Sequence, residues 1–138
     1  MLIGVLVASN ARADAPSIPV YSVWAGTYTC AQGITAVKLT IEARASGGEA
    51  TGHFQFGPLD ANPKLPKGDY WMKGTARPTS RGELDVKLLP DKWVVHPDGW
   101  VMVGLTARSD LEQRTMLGTI DFQSCTTLAV SRVMPEAD

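Results

Sequence analysis

The chain has 138 residues, 44% of them hydrophobic and 20% charged, with 13 lysines and arginines against 14 aspartates and glutamates. That is the composition of one globular domain, long enough to bury roughly two thirds of its unfolded surface around a single core. A net charge of −1 with no cluster of basic residues argues against nucleic acid and against anionic membrane surfaces, which attract proteins through a positive field.

Residues 2–8 are an unbroken apolar run. It is too short to span a bilayer, which takes about twenty residues. Ala13 and Ala15 follow it as an Ala-x-Ala cleavage pattern, so residues 1–15 read as a secretory signal peptide; nothing basic precedes Leu2, and a buried N-terminal strand is the other reading of the run. The mature protein is then periplasmic or secreted, with no stable membrane insertion, and no cysteine near the cleavage site offers a lipid anchor. Residues 16–23, with Pro16 and Pro19, read as an extended N-terminal arm, residues 24–134 as the folded domain and residues 135–138 as a tail.

From residue 24 onward the pattern is period two, in short runs broken by Gly, Pro, Asp and Ser, which predicts strands. Residues 24–31 form the first run. Residues 34–43 form the second, with Val37, Leu39 and Ile41 on one face and Lys38, Thr40 and Glu42 on the other. Ser46, Gly47 and Gly48 turn the chain into residues 49–56, where Phe54 and Phe56 alternate with His53 and Gln55. A loop over residues 57–68, stiffened by Pro58, Pro63 and Pro66, is long for a compact domain, and such loops serve as lids or binding elements.

Residues 69–77 resume the alternation, with Tyr70, Met72 and Gly74 apolar and Trp71, Lys73, Thr75 and Arg77 opposite. After a turn through Pro78 and Gly82, Leu84, Val86 and Leu88 alternate again. Residues 93–96 and 100–107 flank Pro97, Asp98 and Gly99, which reads as a hairpin with a primed turn. Residues 114–123 and 126–133 complete the set, and no helix is predicted beyond one turn near residues 109–113.

The expected fold is all-β: about eight antiparallel strands in an up-and-down barrel closed by the first and last, since closure removes exposed edges. Paired antiparallel, Cys30 with Cys125 and Trp24 with Arg132 miss a common register by a single residue, which one bulge absorbs. This predicts a Cys30–Cys125 disulfide, two buried thiols being the other reading. A bridge closing so long a loop stabilises by roughly 4–5 kcal/mol and suits an oxidising compartment. It also places Arg132 over Trp24 as a structural cap worth about 1–2 kcal/mol.

On Trp24, Arg132 and the strand count, the chain resembles the calycin group of lipocalin-like and avidin-like barrels. In that group a basic side chain from the final strand covers a first-strand tryptophan. The order differs, since lipocalins read Gly-x-Trp and this chain reads Trp24-x-Gly26. In outline it is also similar to small periplasmic protease inhibitors, exported barrels with one disulfide that insert an N-terminal arm into the protease cleft.

Catalytic motifs do not emerge. His53 and His96 stand alone in sequence, and Asp60, Asp69, Asp91, Asp98 and Asp110 lie mostly in loops with nothing to pair any two of them. No enzyme, metal or cofactor is expected. Trp71 on a basic face with Lys73 and Arg77 is a candidate binding platform beside the proline loop, unless it packs beneath that loop. Trp93 and Trp100 are expected to stack across the hairpin, or to form a sugar-stacking or docking tip. The expected function is a non-catalytic binding module for a protein or glycan partner in the cell envelope. The alternatives are a hydrolase or protease inhibitor acting through residues 16–21, and a small-ligand carrier in which Gly52, Gly74, Gly104 and Gly118 leave interior room.

Overall fold

Val37, Leu39 and Ile41 are all buried while Lys38 and Glu42 between and after them are exposed, as a strand with one face in a core requires. The same logic runs round the molecule. A computed structural model describes residues 19–134, which form β1 (Pro19–Cys30), β2 (Gly33–Arg44), β3 (Glu49–Gly57), β4 (Gly68–Pro78), β5 (Leu84–Val95), β6 (Gly104–Ser109), β7 (Thr115–Asp121) and β8 (Thr127–Met134). Each strand pairs antiparallel with the next, and β8 returns to β1, so the eight strands close into an up-and-down barrel. No helix occurs among the described residues. Residues 1–15, expected from sequence to be a signal peptide, the first part of the expected arm and the tail lie outside them.

Closure is as the register argument requires at Trp24, which pairs with Arg132, and the ladder stays regular from there to Tyr28 and Leu128. The register shift lies elsewhere than expected, between Val23 and Trp24. Cys30 and Cys125 are joined by a disulfide just past the end of that ladder, where the Thr126 N–H donates to the Thr29 carbonyl at 2.9 Å. Gly26 allows the seam to close, because a Cβ there would sit 2.1 Å from the Ala129 carbonyl oxygen.

The middle of the barrel is filled. Trp24, Leu39, Phe54, Met72, Leu88, Leu105, Met116 and Leu128 are fully buried within it. The glycines expected to leave room instead admit neighbours: a Cβ on Gly52 would meet Leu88 Cδ1 at 2.9 Å, and one on Gly118 would meet the Thr106 carbonyl oxygen at 2.2 Å. Gly74 and Gly104 are crowded in the same way by backbone carbonyls of β5.

Two sequence boundaries need correction. Pro19–Val23, assigned to the arm, are the first residues of β1, because β2 is long enough to pair with them from Arg44 to Thr40. The segments containing Leu84–Leu88 and Trp93–Val95 are one strand, β5, continuous against β4 through two register shifts. β6 begins only at Gly104 and pairs with four residues of β5. Residues 96–103 are therefore a loop, not half of a hairpin. The cause is Tyr70, whose buried hydroxyl donates to the Val103 carbonyl at 2.9 Å and accepts from the Val103 N–H at 3.0 Å. Backbone groups that would extend a ladder are spent on a side chain.

The barrel thus has two ends. The loop end carries residues 31–32, 58–67, 96–103 and 122–126, and the turn end carries residues 45–48, 79–83 and 110–114.

Candidate functional site

Aromatic side chains from β3, β4, β5 and the loop of residues 96–103 converge at the loop end. Phe56 lies at their centre. It stacks on Trp100 with ring centroids 4.7 Å apart and planes 12° from parallel, and meets Trp93 edge to face at 6.3 Å. Trp93 in turn stacks on His96 at 4.1 Å, and His96 Nε2 is hydrogen-bonded to the Trp100 carbonyl at 2.7 Å. Trp93 and Trp100 are therefore held by Phe56 and His96; they are not the cross-strand pair that a hairpin would have made.

Trp100 forms a wall of a cleft of about 350 Å³ that opens between the β1–β2 turn, this loop and the β7–β8 turn. Tyr28, Val103 and the Cys30–Cys125 disulfide line its depth, while Val101 and Phe122 stand exposed at its rim. Gln32, Gln123 and Ser124 add polar groups to an otherwise apolar surface. Ser124 sits at φ 70°, a left-handed turn conformation that bends the chain back toward the disulfide. Burial pushes the Tyr28 phenol well above the ordinary tyrosine range, against the opposing pull of its hydrogen bond with Thr35, so the cleft presents it as a neutral group. Apolar walls with a few fixed polar groups are the usual makeup of a ligand site.

The proline loop does not cover Trp71. Its Asn62 side chain donates to the carbonyls of Gln32 and Ile34, which ties the loop to the β1–β2 turn. Trp71 remains 40% exposed on the outer wall and stacks on His53, its register partner on β3, with centroids 4.5 Å apart. His53 Nε2 is hydrogen-bonded to Asp69 Oδ2 at 2.6 Å. Lys73 lies along the same wall near Asp91 at 3.7 Å, an exposed pair of little energetic weight. Arg77 is not part of this group. It sits six residues further along β4, roughly 20 Å away, and donates to the Gly47 carbonyl at the turn end.

The site residues named from sequence thus divide among three places: Trp93 and Trp100 at the loop end, Trp71 and Lys73 on the outer wall, and Arg77 at the turn end. Tyr28, Phe56 and Phe122 were missed as site residues because each reads as an ordinary strand position. His53 and Asp69 were missed as a pair because the loop of residues 58–67 hides the β3–β4 register. Trp24 and Arg132 are where the closure argument put them, with the guanidinium carbon 5.4 Å from the ring centroid. Among the described residues, no three or more His, Cys, Asp or Glu side chains converge to hold a metal, and no helix is long and apolar enough to cross a membrane. The disulfide is compatible with an oxidising compartment.

No protein-family model matches the chain, and a search of curated proteins finds no match to it.

Proposed function

We propose that the protein is an exported, non-catalytic binding module of calycin-like layout that takes its ligand at the loop end. The cleft beside Trp100 carries this reading. Its aromatic wall is pre-set by stacking on Phe56, and rigid, partly buried tryptophans are the side chains that most often dominate binding energy. The disulfide in its floor ties the end of β1 to the β7–β8 turn that frames it. Such a cleft suits one sugar ring or one apolar side chain of a glycan or protein partner in the cell envelope. The disulfide and the Ala-x-Ala pattern after the apolar leader support export to the periplasm.

Capture from periplasmic extract tests the site, with wild type beside Trp100→Ala, Trp100→Phe and Trp71→Ala. The expected result is a partner held by wild type, Trp100→Phe and Trp71→Ala and lost by folded Trp100→Ala. Retention by Trp100→Ala overturns the loop-end site. Loss in Trp71→Ala alone supports the second reading, in which Trp71, pinned by His53 and Asp69, is the platform. The inhibitor reading is weakened at its outer end, since Pro19–Tyr21 belong to β1 and are committed to pairing with β2.

A further inference from the structure

At the turn end the barrel interior holds a cation. Leu128, Val130 and Arg132 follow one another at every second position of β8, and the first two are buried in the core. Arg132 therefore points inward, across the seam from Trp24, whose ring is fully buried and lies 5.4 Å from the guanidinium carbon.

The guanidinium carbon lies over the face of the ring. A ring supplies no oxygen acceptor to the N–H groups, which lie in the guanidinium plane and need acceptors at its edge. Those are poorly served. Arg132 Nε is buried with no hydrogen-bond partner among the described residues. Among the described residues Nη1 reaches only the Gln113 carbonyl and Oε1, each at 3.4 Å, long for an N–H···O bond. No carboxylate of the described residues forms an ion pair with Arg132. Burying a charged donor without an acceptor is unfavourable, and a carboxylate that accepts along the Nε edge is the geometry arginine suits best.

Room for such a group is present beside it. A cavity of about 160 Å³ is lined by Arg132, Arg44, Ser22 and Gln113 on its polar side. Ile41, Ala76 and Leu84 are among its apolar walls, and no acidic side chain of the described residues lines it. A cavity of that size has space for about five waters, or for an organic molecule of roughly six to eight heavy atoms.

We propose that the turn end of the barrel binds a small monocarboxylate, with its carboxylate on Arg132 and its short hydrocarbon body against Ile41, Ala76 and Leu84. The site is at the opposite end from the loop-end cleft, so neither reading depends on the other. Selectivity follows from the two kinds of wall. Acetate fills too little of the apolar part, inorganic anions fill none of it, and an alcohol of equal length offers Arg132 no charge.

Calorimetric titration of the mature protein with acetate, butanoate, hexanoate, phosphate and hexan-1-ol tests this, together with NMR of the indole and guanidinium N–H signals. The expected result is saturable binding of butanoate or hexanoate at least about tenfold tighter than acetate, phosphate or the alcohol, a difference of about 1.4 kcal/mol. Arg132→Gln should weaken it at least tenfold. Because that variant also loses the cap on Trp24, the NMR of wild type serves as the second measurement: the ligand should shift the Trp24 and Arg132 signals and leave Trp100 unmoved. The proposal is overturned by no saturable binding, by equal binding of hexan-1-ol, by shifts centred on Trp100, or by binding that appears only after residues 135–138 are removed. The last result would mean that the acidic tail of the chain itself occupies the site.

Discussion

Phe56 on β3 and Trp100 in the loop of residues 96–103 stack with their rings 4.7 Å apart and 12° from parallel. The contact joins a core strand to a loop that has no ladder partner of its own, so the loop takes its position from packing. Trp100→Ala should therefore loosen the loop and open the cleft. Trp100 is half-buried, so the expected cost is about 2–3 kcal/mol in urea unfolding, below the range for a fully buried tryptophan. Trp100→Phe should recover most of it. Equal stability of the alanine variant and wild type would show that the stack does not hold the loop.

Tyr70→Phe isolates the polar half of the same arrangement. The phenol is the partner of both the N–H and the carbonyl of Val103, and both are buried. Removing one oxygen strands two backbone groups, so the expected loss is roughly 2–3 kcal/mol by chemical denaturation. Amide exchange at Val103 should accelerate in step. A loss under about 0.5 kcal/mol would mean that other groups satisfy Val103.

The seam offers a steric test. Gly26→Ala places a Cβ 2.1 Å from the Ala129 carbonyl, a backbone atom that cannot rotate away. The barrel must part there or shift, at an expected cost of about 3 kcal/mol or more. Gly47→Ala is the matched control. Its nearest neighbour would be the end of the Glu49 side chain at 3.8 Å, so it should be neutral or slightly stabilising. Similar thermal midpoints for the two variants would contradict the close approach of β1 and β8.

Acid stability should depend on Asp110. The backbone N–H of Arg114 donates to its carboxylate at 2.7 Å, with the Thr115 N–H as a weaker second donor, and these hold its pKa below the usual carboxylate value. A folded-state pKa below the unfolded one means the stabilisation is fully present above the ordinary aspartate value near pH 4 and is lost as pH falls through the folded value. Asp110→Asn should thus flatten the stability curve below about pH 4 relative to wild type. Identical acid limbs for the two proteins would remove Asp110 from the account.

Much of this was legible in sequence because it depends on local pattern. The alternation in residues 34–43 or 69–77 settles which side chains face the core, and Trp71 and Lys73 are outside for that reason alone. The closure was legible too, since Trp24, Arg132 and the two cysteines lie at the ends of the strand order. What was not legible turns on pairings across unknown distances. His53 gains Asp69 and Trp71 only once the β3–β4 register is known. The Asp98–Gly99 hairpin fails because Tyr70, 33 residues earlier than Val103, captures the backbone that would have formed it.

By itself, then, the sequence determined the barrel, its closing strands and the inward or outward sense of side chains in its alternating runs, because period two is a property of neighbouring residues. Only the tertiary structure decided that Phe56 and Trp100 stack, that the site residues expected from sequence lie in three separate places, and that Arg132 keeps a buried N–H without an acceptor among the described residues. Those outcomes depend on which distant groups reach one another first, and hydrogen-bond and packing competition of that kind has no local signature.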